Sequence, residues 1–434
     1  MPLKNIFVAL QVKNYRLFFI GQGISLIGTW IQRTTMGWFV YRLTNSVFLL
    51  GLISFLSMIP SVFISPFAGD LADRTNRHKI ILITQISALI QTSVLAALVL
   101  SGFISKTVIW PLIVLSLMQG IIEAVDAPIR QSFVIDLIEK KSMLSNAIAM
   151  NSAAFNAARL IGPSIAGILI ISFSEGVCFT FNAISYIPVI IMLLFIKIKY
   201  VKSPPSKHST LHNVMEGWKY AYSYFPIRFL ISNIIIFTLF GMSYATLLPV
   251  FARDVLHGDS RTLGLLMSTA GVGALTGALY LASRQNIKGL SYRMVIAGFV
   301  VSISLVVFSF SSYLYLSMFL LLIIGLGMML QMASTNTMLQ SMINDRMRGR
   351  VLSMYTMAYM SIAPFGSLMV GSLSSRFGVK ATLLCTAVIC MLWALNGLRQ
   401  HKNLTRGIQR MLIENNNQES YRPISSPINI GIIK

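Results

Sequence analysis

The sequence predicts an all-α membrane protein with twelve transmembrane helices in two six-helix parallel repeats. Composition is the first reason: 55% of the 434 residues are hydrophobic and only 11% are charged, whereas soluble domains carry about 25% charged residues. The second reason is that the charges are spaced apart by long apolar runs, and about 20 apolar residues suffice to cross a bilayer as a helix. We therefore do not expect a water-soluble enzyme.

Twelve such runs can be traced along the chain. Nine contain no charge: Phe48–Ala68, Ile80–Leu100, Gly176–Ile196, Phe229–Ala252, Thr262–Ser283, Met294–Phe310, Tyr313–Thr335, Val351–Ser375 and Ala381–Leu398. Three contain charges: Leu17–Tyr41 with Arg33, Thr107–Pro128 with Glu123 and Asp126, and Ser142–Ser174 with Arg159. Each run is long enough to satisfy its backbone hydrogen bonds as a membrane-spanning helix. Strands of a membrane barrel would be about ten residues long with alternating polarity, which these runs do not show.

The basic residues set the predicted orientation. If the N-terminus is cytoplasmic and the loops alternate, 27 of the 35 Lys and Arg residues fall on the cytoplasmic side. Only six fall outside: Arg42, Lys106, Arg253, Arg261, Arg376 and Lys380. Because cytoplasmic loops are enriched in Lys and Arg, we expect both termini in the cytoplasm. The net charge of +22 is then a topology signal, and nucleic acid is not expected as a partner.

The chain divides into four predicted parts. They are the first six-helix half (1–196), a cytoplasmic linker (197–226), the second half (227–400) and a basic, polar cytoplasmic tail (401–434). Within the linker, the apolar residues from Leu211 to Phe225 share one helical stripe, which indicates an amphipathic helix on the membrane surface. We expect the tail to be disordered apart from a short amphipathic start.

The loop between spans two and three carries a recognisable motif. It contains Gly69, Leu71, Ala72, Asp73, Arg74 and Arg77, and in this it resembles the signature loop of the major facilitator superfamily. Gly69 allows close helix approach, and Asp73 can interact with the positive end of a neighbouring helix. Arg74 and Arg77 can reach carboxylates or lipid phosphates. We expect these contacts to hold one face closed and to exchange during transport.

Span five carries a second motif, because Gly162-Pro163 looks like the Gly-Pro motif of exporting members. The same pattern, Ile161-Gly162-Pro163, is echoed by Ile362-Ala363-Pro364 in span eleven, as expected of two repeated halves. Span four departs from the family pattern, since Ser116 occupies the usual arginine position. This departure weakens the expectation of that motif's proton role.

A narrower resemblance covers most of the chain. The stretches that carry it are Gly28–Arg33, Trp38–Tyr41, Asp126–Gln131 and Arg348–Val351, which look like the bacterial branch containing the enterobactin exporter and macrolide-efflux proteins. The resemblance implies a monomeric transporter of the bacterial inner membrane, in contact with lipid. It implies export of a small organic molecule, such as a siderophore or a drug, in exchange for protons by alternating access.

Charges at membrane depth are the predicted coupling and binding residues, because they are costly there and usually functional. We expect Arg33 and Arg159 to face a central cavity and attract an anionic cargo, with Glu123, alone or together with Asp126, taking the proton. In the alternative interpretation, Arg33 reaches outward, Arg159 pairs with Glu123, and Asp126 pairs with Arg130. Counting from Arg130, Glu123 should lie about 10 Å from the cytoplasmic face.

Other function classes remain as alternatives. The same fold could import its cargo by symport, or it could be a sensor or scaffold that has lost transport. No phosphate-binding loop or nucleophile motif supports ATP-driven pumping or hydrolysis, so an enzyme is not expected. His208 and His212 have the i, i+4 spacing of metal ligands but lack Cys or carboxylate partners, so no metal and no cofactor is expected.

Overall fold

A computed structural model describes residues 8–138, 141–196, 218–284 and 289–420. Within these ranges the chain forms twelve long helices and no strand. The helices are α1 (Lys13–Thr44), α2 (Val47–Arg74), α3 (Arg77–Leu100), α4 (Trp110–Leu137), α5 (Lys141–Ser172), α6 (Glu175–Phe195), α7 (Phe225–Val255), α8 (Ser260–Ala282), α9 (Leu290–Phe310), α10 (Leu314–Met342), α11 (Asp345–Phe377) and α12 (Val379–Ser420).

Eleven of these helices contain a stretch long and apolar enough to cross a membrane. The exception is α1, which carries the charges Lys13, Arg16, Arg33 and Arg42 along its 32 residues. At 1.5 Å per residue, α1 is about 48 Å long, and it packs along α5 and α6. It is therefore the twelfth long helix of the bundle, and the predicted all-α membrane fold is confirmed.

Within each half, consecutive helices are joined by short connections, so the bundle has two faces. Near the start of α1, the Tyr15 hydroxyl donates a hydrogen bond of 2.9 Å to the Ala147 carbonyl near the start of α5. Near its end, Arg42 pairs with Glu175 at the start of α6, 2.5 Å from Nε to Oε1. We call the face at the beginning of α1 the terminal face, and the face at its end the opposite face.

The two halves meet along two seams. Within the first half α1 packs on α5 and α6, and α2 packs on α4; within the second half α8 packs on α10, and α9 packs on α10 and α12. The most extensive contacts between the halves are α2 with α11 and α5 with α8. These two seams are equivalent if the second half repeats the first, because helices two and five then correspond to eight and eleven.

A pair of glycines lies in each seam. Gly51 and Gly264 are both the fifth residue of their helices, and Gly167 and Gly371 are both the twenty-seventh. A Cβ added to Gly371 would lie 2.8 Å from the Gly51 Cα, and one added to Gly264 would lie 3.3 Å from the Gly167 Cα. The missing side chains let the helices approach to backbone contact, as small residues do in membranes.

Helix α7 is irregular in two places. Its α-helical turns are interrupted by π-helical segments at Phe237–Gly241 and Phe251–Val255. Such segments shift the direction of the side chains that follow and are frequent at functional sites. The first interruption precedes Tyr244, and the second contains Arg253 and Asp254.

The first part of the predicted tail is more helical than the short amphipathic start that we expected, and residues 421–434 lie outside the described residues. Helix α12 continues without a break from Val379 to Ser420, about 63 Å at helical rise and twice the thickness of a bilayer core. Beyond His401, its apolar residues Leu404, Ile408 and Met411 are buried against the terminal-face ends of the second half. Burial of this stripe is what keeps the extension helical.

The predicted linker helix is only partly within the described ranges. Residues 218–223 are helical, and Ala221 in this stretch is buried in the same cluster as Leu404. The remainder of the predicted Leu211–Phe225 stripe before residue 218 lies outside the described residues. His208 and His212 lie outside them as well.

Candidate transport site

Arg33 and Glu123 form an ion pair near the middle of the bundle. The Arg33 guanidinium lies 2.5 Å from Glu123 Oε2, and Gln119 donates a hydrogen bond of 3.0 Å to the other carboxylate oxygen. The side chains are 46% and 30% exposed, respectively. Two of the carboxylate's roughly four acceptor positions are thus occupied. The remaining positions can accept a hydrogen bond from a ligand or bind a proton.

Glu123 lies near the middle of a helix that is longer than the predicted apolar run. Helix α4 continues past Arg130 to Leu137, so Glu123 is about 21 Å from the end of the helix at the terminal face. Its distance from the membrane surface, expected to be about 10 Å, stays a prediction. Arg130 lies within the helix, and its charge is held there by Asp126 one turn earlier, 3.2 Å away.

Arg159 lies beside the same site but has a different environment. Its guanidinium is 5.8 Å from the centre of the Trp30 ring, and the Arg33 guanidinium is 5.4 Å from that ring. Phe155 meets Trp30 edge-on at 5.9 Å. Arg159 forms no ion pair with any residue in the described ranges, so the pairing with Glu123 considered from the sequence is not formed.

Both arginines lie near a residue of the second half. Tyr359 on α11 lies within electrostatic range of Arg33 and of Arg159, and Tyr244 on α7 lies within range of Arg159. The residue after Arg159 is part of a seam, because Ser268 of α8 donates a hydrogen bond of 2.9 Å to the Leu160 carbonyl. Arg159 thus lies close to the second half, and the expectation that both arginines face a cavity stays a prediction.

Asp126 lies away from this group, inside the first half. It is 6% exposed, and its Oδ1 accepts hydrogen bonds from Thr84 at 2.8 Å and Gln85 at 2.9 Å. Its other oxygen pairs with Arg130. The carboxylate is thus held by a network within α3 and α4, and no described contact joins it to Arg33 or Arg159.

The predicted gating residues fall into two groups. Arg77 at the start of α3 pairs with Asp136 near the end of α4 at 2.8 Å, so the terminal-face loop is joined to the fourth span. Gly69, Asp73 and Arg74 lie at the end of α2, in a stretch whose side-chain contacts the structure does not describe. Their role in gating therefore stays a prediction.

Gly162 and Pro163 have separate neighbours. A Cβ on Gly162 would lie 2.5 Å from the Trp30 Cβ, so this glycine lets α1 place Trp30 against α5. The Pro163 carbonyl oxygen lies 2.6 Å from the position of a Cβ on Gly264, which puts it in the α5–α8 seam. Gly162 thus allows the Trp30 side chain to pack against α5, and Pro163 contacts the second half.

The halves are joined near the opposite face. Tyr41 of α1 donates a hydrogen bond to the Asp254 carboxylate of α7, and Arg253 donates one of 2.5 Å to Asn45 Oδ1. On the α5–α8 seam, Ser260 bonds to the Gly167 carbonyl at 3.2 Å. These hydrogen bonds between the halves, like that of Ser268, lie between the middle of the bundle and the opposite face.

Several residues of the site have no signal in the sequence that identifies them. Trp30, Tyr244 and Tyr359 are ordinary aromatic residues of apolar spans. Trp30 reaches Arg159 through packing within the first half, whereas the two tyrosines lie within range of its charge because the two halves pack together. The seam glycines also have no signal in the sequence alone. Gly51 and Gly264, like Gly167 and Gly371, occupy equal positions only when the helix starts of the structure are aligned, and the predicted spans begin at other residues.

The sequence matches a known family over nearly its whole length. Residues 5–418 match the family described as transmembrane secretion effectors. The chain is 28% identical over 382 residues to the staphyloferrin A transporter of Staphylococcus aureus, covering 87% of this chain and 94% of that protein. It is 20% identical to macrolide efflux protein A of Streptococcus pyogenes, with 88% and 96% covered.

Solved structures show the same fold. An inward-facing bacterial homologue of the human lysosomal transporter Spinster superposes with a TM-score of 0.70 at 14% identity, covering 92% of this chain and 98% of that one. The nucleoside transporter NupG gives 0.71 at 13% identity, with 89% and 99% covered. With its twelve long helices and the match over residues 5–418, the chain belongs to the transmembrane secretion effector family of major facilitator transporters.

Proposed function

We propose that this transporter exports a small organic molecule, siderophore-like or drug-like and anionic, across the bacterial inner membrane in exchange for protons. The observation that carries the proposal is the group of Arg33, Glu123 and Arg159 around Trp30, near the middle of the bundle and close to the second half. Such charges are retained at membrane depth where they bind substrates or move protons. The similarity to a macrolide efflux protein supports export, and the similarity to the staphyloferrin A transporter supports a siderophore-like cargo.

The proposed orientation places the terminal face in the cytoplasm, since the predicted topology assigns 27 of the 35 Lys and Arg residues to that side and cytoplasmic loops are enriched in them. The described hydrogen bonds between the halves would then lie toward the periplasmic side, and the proposed opening of the site is toward the cytoplasm. This is the arrangement from which an exporter loads its cargo. Rocking of the halves about the fixed site would expose it to the other side, with the chain acting as a monomer.

Exchange with protons requires the cargo and the proton to exclude one another. The cargo and the proton can compete for Glu123, because its free acceptor positions can accept a hydrogen bond from a donor group of the cargo. A proton arriving from the periplasm would neutralise the same carboxylate and weaken that contact. We therefore assign the coupling to Glu123 and treat Asp126 as a structural carboxylate.

The direction and coupling can be tested together in membrane vesicles. The cargo is first identified as a compound that is lost from the medium of a deletion strain. In everted vesicles from cells that express the chain, this compound should accumulate when a proton gradient is imposed. Glu123→Gln should transport without dependence on that gradient, whereas Glu175→Gln, which breaks a pair at the opposite face, should keep it. Accumulation only in right-side-out vesicles would instead indicate uptake by symport.

A loss of transport in every assay would favour the sensor or scaffold alternative. The control for expression is the abundance of the full chain in the membrane, measured alongside transport. Gradient-dependent transport by Glu123→Gln would refute the assignment of the coupling residue.

A further inference from the structure

Arg159 differs from the other arginines of the site and its surroundings in lacking an acidic partner. Arg33 pairs with Glu123, Arg77 with Asp136 and Arg130 with Asp126. Within the described ranges, Arg159 has no carboxylate in ion-pair distance, although its residue is only partly exposed. A guanidinium that remains charged at membrane depth is costly unless an anion reaches it.

The described neighbours of Arg159 can donate hydrogen bonds, and the nearby carboxylate of Glu123 is paired with Arg33. Trp30 covers one side of the guanidinium, and the hydroxyls of Tyr244 and Tyr359 lie within range of its charge. A tyrosine hydroxyl can donate to a carboxylate. Trp30 belongs to the first half, and the two tyrosines belong to the second, so a ligand at this point would touch both halves.

Helix packing holds these groups at the boundary between the halves. Tyr244 is 6% exposed and follows the π-helical segment Phe237–Gly241 of α7. Next to Arg159, a Cβ on Gly271 of α8 would lie 3.2 Å from the Leu160 Cα, so that seam brings α5 and α8 into backbone contact. The positive charge of Arg159 is therefore fixed beside the second half.

We infer that Arg159, Tyr244 and Tyr359 form a subsite for a carboxylate group of the cargo. This inference rests on the proposed function and names the chemical class that the site selects. The planar guanidinium can donate two parallel hydrogen bonds to the two oxygens of a carboxylate, and the tyrosine hydroxyls supply further donors. One uncompensated positive charge matches one singly charged group, because the charge of Arg33 is already neutralised by Glu123.

Charge compensation also links this subsite to the transport cycle. When the subsite is empty, closing the halves over Arg159 would bury an unpaired charge, which is strongly unfavourable. A bound carboxylate removes that cost and contacts residues of both halves at once. Occupancy of the subsite therefore favours the occluded state.

The test compares an anion with its neutral isostere. The purified full chain is titrated with 1-naphthoate and with 1-naphthamide, which have nearly the same shape but differ in charge, and binding is measured by calorimetry. We expect the wild type to bind naphthoate at least about tenfold more tightly, since a hydrogen bond to a charged group contributes about 1.5–3 kcal/mol. Arg159→Gln should abolish the difference, and Arg159→Lys should retain part of it.

Matched variants separate the subsite from general damage. Tyr244→Phe and Tyr359→Phe should each reduce the preference for naphthoate, while Arg42→Gln at the opposite face should leave it unchanged. Equal binding of the two probes by the wild type, no binding of naphthoate, or a preserved preference in Arg159→Gln would each overturn the inference. If naphthoate is preferred but the vesicles show no export, the subsite stands and the exporter proposal fails. Export of neutral compounds without this preference would support the exporter proposal and overturn the subsite.

Discussion

Tyr41 of α1 donates a hydrogen bond to the Asp254 carboxylate of α7 and so connects the two halves at the opposite face. Arg253, the neighbour of Asp254, bonds to Asn45 and lies with its guanidinium 5.6 Å from the centre of the Tyr41 ring. Both residues of α7 can point toward α1 because they lie in a π-helical segment. We call Tyr41, Asn45, Arg253 and Asp254 the opposite-face latch.

Removing the Tyr41 hydroxyl should favour the state that is open at the opposite face. A hydrogen bond to a charged group contributes about 1.5–3 kcal/mol, so Tyr41→Phe should raise the open fraction by about tenfold or more. The measurement is the rate at which an impermeant thiol reagent labels Ser260→Cys, which is 2% exposed, in a Cys385→Ser background.

The control for this prediction is Tyr15→Phe. Tyr15 also donates a hydrogen bond across helices, but to Ala147 of its own half. Its loss should leave the labelling rate of Ser260→Cys unchanged. Equal rates in Tyr41→Phe and the parent would show that the latch does not hold the halves together.

A methyl group added in the α2–α11 seam should separate these helices. In Gly371→Ala the new Cβ would lie 2.8 Å from the Gly51 Cα and 3.0 Å from the Val47 carbonyl, and backbone atoms have little freedom to yield. Overpacking of this kind costs about 1–3 kcal/mol, which here falls on the state closed at the opposite face. We expect faster labelling of Ser260→Cys and slower transport.

Gly23→Ala is the matched control for the seam. A Cβ on Gly23 has nothing within 4 Å, although Gly23 also lies inside a helix. Labelling and transport should stay at the parent level in this variant. A Gly371→Ala protein that transports normally would show that backbone contact in the seam is not required.

Asp126→Asn should change the stability of the protein, whereas Glu123→Gln should change the proton dependence of transport. Removing one partner of a buried ion pair costs up to about 3–5 kcal/mol, and Asp126 is buried with Arg130, Thr84 and Gln85 around it. We expect Asp126→Asn to lower the thermal unfolding temperature in detergent while the proton dependence of transport remains.

For Glu123→Gln the expectation is a small change in unfolding temperature and a loss of proton dependence. The Arg33–Glu123 pair is substantially exposed, and exposed pairs contribute little to stability. If the two variants behaved alike in both measurements, the division between a structural and a coupling carboxylate would be wrong.

The extension of α12 should stabilise the second half. Leu404 is fully buried, in a cluster with Ile227 and Met338. Replacing a buried leucine by alanine costs about 2–5 kcal/mol, so Leu404→Ala should unfold at a lower temperature than the parent. Asn403→Ala, at the exposed neighbouring position, should not. An unchanged unfolding temperature in Leu404→Ala would mean that the extension is not part of the folded core.

The ends of α4 and α12 show where charge spacing was insufficient to place a helix end. Charges such as Arg130 and Lys402 suggest helix ends because a lone charge is costly in lipid. Arg130 is instead held by Asp126 within the helix, and Lys402 lies on a helix whose apolar stripe finds a packing partner. Arg130 and Lys402 therefore follow the apolar part of their helices but do not lie at the helix ends.

Composition, periodicity and motifs were enough to predict the membrane class, the run of long helices, the family and the charged residues available at depth, because each of these is a local property of the chain. Helix packing was needed to establish that Glu123 pairs with Arg33, that Arg159 is left with Trp30 and two tyrosines of the other half, and that glycines meet across the seams. These relationships join residues on different helices, some from different halves of the chain. Their energies depend on distance in space, which spacing along the chain does not specify.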